Sequence, residues 1–100
     1  MIKKIDSYLG FAAKSGNLVT GTNTCMTPSV RRKIKLLLIA EDTSEGTAKK
    51  IIKTANDYNI EYRVFGESQH LSKVTGNSLR YIFGTTDANF ADVIIKQIDE

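Results

Sequence analysis

The sequence predicts an α/β fold, with a mixed or parallel sheet held between two helical layers. Three observations predict it. The run Lys35-Leu36-Leu37-Leu38-Ile39-Ala40 stays apolar on both faces after its lysine and stops at Glu41-Asp42. That is how a strand covered by helices on each side reads. Segments of helical period alternate with short strand-like runs along the chain. Between two of them lies Gly21-Thr22-Asn23-Thr24, a small polar helix start that offers backbone N–H groups to an anion.

The elements follow in order. Ile2, Ile5, Tyr8/Leu9 and Ala12/Ala13 recur at helical spacing, and Ser15-Gly16-Asn17 stops that helix with Gly16 as a left-handed cap. Leu18-Val19-Thr20 is a short strand. Gly21-Thr22 turns the chain, and Thr22 or Asn23 caps a second helix. Pro28 lies where the interior of that helix should be, so the helix is distorted or starts late. In the second case Thr27 caps and Pro28 opens a shorter helix reaching Lys33. Residues 35–40 form the central strand. Ser44 caps a third helix, with Ala48, Ile51, Ile52, Ala55 and Tyr58 as its apolar stripe and Lys49, Lys50 and Lys53 facing water. Asn59 ends it. Glu61 to Phe65 alternates like a strand, Gly66 breaks it, and Ser68 to Val74 makes a short helix. Gly76-Asn77-Ser78 is a turn and Leu79 to Phe83 another strand. Asp87 caps a last helix whose core face is Phe90, Val93/Ile94 and Ile98. With 100 residues, 41% of them hydrophobic, and no repeat or linker, a single domain over 1–100 is expected.

Composition removes several function classes. A lone Cys25 cannot form an internal disulfide, and one His leaves no Cys/His zinc site. No signal peptide or membrane span is legible, so a soluble cytoplasmic protein is expected. His70 lies in a polar segment and reads as a surface residue in preference to a base. Cys25 reads as a packed residue in preference to a nucleophile. Glu41-Asp42 could be a metal pair, but acids at a strand exit also suit the approach to a helix start. No P-loop or GxGxxG run is present. No metal, cofactor or enzymatic activity is therefore expected.

The net charge of +3 permits a nucleic-acid partner without requiring one. Three segments are candidates to converge at one end of the sheet: Gly21–Thr24, Glu41–Thr43 and Gly76–Arg80. Asn23 carries a donor and an acceptor and can read a base edge. Leu79 can cover an unstacked base, and Arg80 can meet a phosphate or stack. Gly-Thr-Asn is equally an ordinary helix cap, and Gly-Asn-Ser an ordinary turn. Arg31-Arg32-Lys33 with Lys35 is a basic cluster that reads as a solvated face or as an RNA contact.

These residues resemble a known family. The run from Gly21-Thr22-Asn23 through the strand ending in Ala40-Glu41-Asp42 resembles the L-seven-Ae and L-thirty-e ribosomal proteins that bind kink-turn RNA. The opening YLGFAAKSGNLVTG, the later HLSKVTGN and the terminal TTDANFADVIIKQI resemble its bacterial YlxQ-like branch. The resemblance covers essentially the whole chain. It implies a three-layer α/β/α sandwich with a four-stranded mixed sheet and a non-catalytic, monomeric RNA-binding protein. It implies structured RNA as partner, with ribosomal RNA one candidate. The second helix of the family enters the major groove at sheared G·A pairs through an Asn-Glu pair and a following Lys. A hydrophobic loop before the last strand covers extruded nucleotides. On this chain Gly21, Thr22 and Asn23 match, while Thr24 stands where Glu is usual and Thr27 where Lys is usual. Thr20 replaces a frequent basic residue, Ser72 a usual Gly, and Asn77, Ser78 and Leu79 occupy the covering loop. The expected RNA contacts are Gly21, Thr22, Asn23, Thr24, Thr27, Arg31, Asn77, Ser78, Leu79 and Arg80. The changes at Thr24, Thr27 and Pro28 leave one alternative, a protein-interaction module on the same fold with a weakened RNA site.

Overall fold

The apolar run before Glu41-Asp42 becomes an inner strand of the sheet. The computed structural model describes residues 4–100, so Ile2 of the expected first helix lies outside it. Along the described chain come α1 (Lys4–Lys14), β1 (Leu18–Thr20), α2 (Thr22–Met26), α3 (Pro28–Arg31) and β2 (Leu36–Ile39). They are followed by α4 (Glu45–Asp57), β3 (Glu61–Val64), α5 (Ser68–Val74), β4 (Ile82–Thr85) and α6 (Ala88–Asp99). The four strands lie in the order β1-β4-β2-β3. β4 runs antiparallel to β1 and β2, and β3 parallel to β2, so the sheet is mixed.

Period two along β2 divides the core. Leu36, Leu38 and Ala40 pack with Ile5, Leu9, Leu71, Phe83 and Ile94, beneath α1, α5 and α6. Leu37 and Ile39 pack with Cys25, Ile34, Ile51, Ala55 and Ile82, beneath α2, α3 and α4. The result is a three-layer α/β/α sandwich with a four-stranded mixed sheet. Gly84 lets the layers close. A Cβ there would lie 2.8 Å from the Ile34 Cδ1 and 3.1 Å from the Val19 Cγ2.

Local signals place several elements as expected. Ser44 accepts from the Thr47 N–H at 3.4 Å, and Asp87 accepts from the Phe90 N–H at 3.0 Å. Other expectations are corrected. Gly21 occupies the cap of α2, and neither Thr22 nor Asn23 does. The second reading of Pro28 holds, except at the far end: α2 ends at Met26, Thr27 caps in an extended conformation, and Pro28 opens α3 because its missing N–H is harmless in a first turn, but α3 stops at Arg31, not Lys33. β4 begins at Ile82, not Leu79, and reaches Thr85. Tyr58 leaves the apolar stripe of α4 and is exposed. β3 is an edge strand with Tyr62 and Arg63 both half-buried, so its alternation is blurred.

Arg63 fastens that edge. Its guanidinium forks onto Asp99 at 2.9 and 2.8 Å and reaches Glu61 at 3.0 Å, tying the end of α6 to β3. Among the described residues no helix is long and apolar enough to cross a membrane.

Candidate functional site

The end of β1, the start of β4 and the end of β2 meet at one end of the sheet. Gly21 makes the meeting possible. Its φ is +96°, a conformation that costs glycine little, and its N–H donates to the Ile82 carbonyl at 2.8 Å. This bond fixes the start of α2 against the start of β4. The Arg80 side chain lies across Gly21, with Cδ and Nε 3.8 Å from where a Cβ would stand.

A cleft of about 340 Å³ opens there, lined by Thr20, Gly21, Thr22, Asn23, Thr24, Leu79, Arg80 and Tyr81. Asn23 and Thr24 are exposed. Among the described residues the Asn23 carboxamide has no hydrogen-bond partner, so its donor and acceptor are both free for a ligand. Leu79 is 53% exposed and Tyr81 38%. Among the described residues the Arg80 Nη1 donates only to the Leu79 carbonyl, at 3.3 Å. The cleft thus combines a carboxamide, a guanidinium, one aliphatic and one aromatic surface.

The loop that carries Leu79 and Arg80 is held from below. The buried Ser72 hydroxyl accepts from the Arg80 N–H at 2.8 Å and donates to the Arg80 carbonyl at 3.2 Å. This clamp holds the loop just before Tyr81, whose carbonyl accepts from the Ala40 N–H at 2.9 Å.

Four expected site residues are not brought there. The Thr27 hydroxyl donates back to the Asn23 carbonyl at 2.9 Å, inside the helical turn. Arg31 points toward the other end of the sheet, its guanidinium 3.9 Å from the Tyr58 ring centre. Asn77 donates to the Thr75 hydroxyl at 3.0 Å and lines a neighbouring cleft with Leu79 and Tyr81. Ser78 is exposed in the turn. The free N–H groups expected to attract an anion belong to a five-residue helix, too short for a substantial macrodipole.

Tyr81 is the residue sequence reasoning missed. It also walls an adjacent cleft of about 360 Å³ with Thr22, Asp42 and Thr43, so the third expected segment adjoins the other two. Asp42 is turned aside. It accepts from the Ser68 N–H at 2.9 Å and from the Ser68 hydroxyl, capping α5 from the turn after β2. The Ser68 hydroxyl first, then its N–H, hold the Asp42 carboxyl below its ordinary value. A carboxyl depressed in the folded state adds stability that is present above its unfolded pKa, about 3.9, and is lost as pH falls through the folded value. Asp42→Ala is therefore expected to unfold at lower urea than the parent at pH 7, with the gap closing below about pH 4. A gap that persists unchanged at pH 2 would show that the ionised cap contributes nothing.

Cys25 and His70 stand apart from this cleft. Cys25 is fully buried, and burial pushes its thiol up to about 12, far from a reactive thiolate. His70 is exposed and bonds Asp6 at 2.9 Å, between α5 and α1.

A sandwich of this size, with a polar cleft where loops from three strand ends meet, defines a small α/β/α protein with its site at the rim of the sheet. The sequence pattern of the Ribosomal protein L7Ae/L30e/S12e/Gadd45 family matches residues 3–95, and the chain belongs to that family. It is similar to the RNA-binding protein YlxQ of Bacillus subtilis (strain 168), 30% identical over 91 residues and covering 91% of both chains. The RNA-binding protein YlxQ of Enterococcus faecium is 29% identical over 90 residues, 89% of this chain and 85% of that one. Among solved structures, a protein of unknown function from Bacillus halodurans superposes with a TM-score of 0.91 at 30% identity, covering 97% of this chain and 98% of the other. The Giardia lamblia 15.5kD RNA binding protein superposes with a TM-score of 0.78 at 14% identity, over 99% and 88% of the two chains, and shares the fold.

Proposed function

We propose that this domain binds structured RNA of the kink-turn kind, as a single copy in the cytoplasm and without catalysing a reaction. The observation that carries the reading is the convergence of an unbonded Asn23 carboxamide with Leu79, Arg80 and Tyr81 around one open cleft. Asn23 offers a base edge its donor and acceptor together. Leu79 and Tyr81 offer an apolar face and a ring to bases outside a stack, and Arg80 offers a cation to the backbone beside them. Gly21, Thr22 and Thr24 form the floor, where a nucleotide can approach closely. Asn77 and Ser78 shape the covering loop, and Thr27 steadies α2. The bacterial relatives named as RNA-binding proteins support RNA as the ligand class. Ribosomal RNA is one source of such a structure.

The changes along α2 fit a weaker version of the interaction. With Thr24, one hydroxyl stands in for a carboxylate, and the difference between a neutral and a charge-assisted hydrogen bond is about 1–2 kcal/mol. The break at Pro28 lies beyond Asn23 and leaves the start of α2 bonded to β4. Asn23→Ala is expected to weaken binding to a kink-turn RNA by about 1–3 kcal/mol and to leave binding to a plain duplex unchanged. Titration of both RNAs with both proteins checks this. Equal affinity of the parent for the two RNAs would reject the reading, and no binding to either would favour a protein-interaction module.

A further inference from the structure

The basic cluster that does not reach the cleft forms a concavity of its own. Arg31 and Arg32 end α3, Lys35 precedes β2, and Tyr58 to Glu61 face them from the end of α4. Together they line a cleft of about 350 Å³ at the opposite end of the sheet. Among the described residues, Arg31, Arg32, Lys33 and Lys35 form no ion pair. The carboxylate lining the cleft, Glu61, is already bridged to Arg63. Arg31 is fixed by the Tyr58 ring, with a long 3.4 Å bond to the Met26 carbonyl and a buried Nε that has no partner. A guanidinium packed on an aromatic ring presents its edge with little entropy left to lose. Unneutralised cations in a concave surface focus a positive field and attract a polyanion.

Position selects the ligand. The first cleft lies where β1 and β2 end, and this one where β2 and β3 begin, about 13 Å away along a four-residue strand. α2 starts at the first cleft and α3 ends at the second, both on the same layer. A nucleic-acid backbone lying along these helices meets both. We infer that the Arg31–Lys35 cleft is a second contact for the phosphate backbone of the RNA held at Asn23. This rests on the RNA-binding reading above.

The test is the salt dependence of binding, measured on the full chain with a kink-turn RNA carrying extended flanking helices and with a plain duplex. Arg32→Gln/Lys35→Gln is the test variant. Lys14→Gln/Lys96→Gln, with two exposed cations removed from the opposite helical layer, is the control of equal charge. The slope of log K against log salt should fall in magnitude by about two for the test variant, roughly one for each lost phosphate contact, and should hold for the control. Its preference for the kink-turn over the duplex should remain, because phosphates position and base contacts specify. An unchanged slope, or equal slopes for test and control variants, would overturn the inference and leave the Asn23 reading standing. A reduced slope in a parent that shows no kink-turn preference would sustain this contact and overturn the other reading. Absence of RNA binding by the parent overturns both. Matching melting curves for parent and variants establish that all are folded.

Discussion

Phe83→Ala is expected to lower the free energy of unfolding by about 3–5 kcal/mol. Phe83 is 1% exposed and lies on β4 between β1 and β2, beneath α1, α5 and α6. It shares a buried cluster with side chains from three helices, so filling the space would need several elements to move together. A domain of this size holds only about 5–15 kcal/mol in total, so the variant should be partly unfolded at 37 °C. Urea unfolding checks this, with a lower midpoint at unchanged slope expected. A loss below about 1 kcal/mol would mean that the site collapses freely, contrary to the close packing of this layer.

Ser72→Val should cost about 2–6 kcal/mol, taking about 1–3 for each of the two Arg80 backbone groups it orphans. Valine removes the hydroxyl that holds Arg80 on both sides and adds a methyl group, a bulk that the Ser72→Thr control shares. The effect should reach RNA binding as well as stability. Released from Ser72, the loop no longer holds Leu79, Arg80 and Tyr81 opposite Asn23. Ser72→Thr retains a hydroxyl and should recover part of both losses. Kink-turn affinity and urea stability of the two variants, measured together, separate this from simple core damage. If Ser72→Val binds RNA as tightly as the parent while losing stability, the loop does not depend on the clamp.

Local chemistry made most of the fold legible. The two-faced apolar run gave β2 and its two covering layers. Ser44 and Asp87 marked helix starts because their bonds span three residues, a distance visible in sequence. Pro28 marked the break between α2 and α3. What escaped depended on distant partners. Leu79-Arg80-Tyr81 has the composition of a strand, but the Arg80 backbone bonds Ser72 of α5, a partner that spacing does not reveal, and Tyr81 lines the cleft. Tyr58 fits the apolar stripe of α4 by spacing, yet it turns out to carry Arg31. The charge of Arg31 was plain in the sequence and its direction was not. Asp42 suited the approach to α4, but its bonds go to Ser68 at the start of α5. Segments 21–24 and 79–81 could be proposed as neighbours only through the sheet rule and the resemblance. Their meeting depends on pairing between the first and last strands.

That pairing has a consequence for synthesis. β1 has β4 as its one partner in the sheet, and β4 is the last strand to leave the ribosome. Until it emerges, Asn23 faces no Leu79 or Arg80, and the nascent domain lacks one wall of the cleft. In the RNA-binding reading proposed above, the two walls therefore come together only late in synthesis. A chain that stalls before residue 79 would present the Asn23 wall alone.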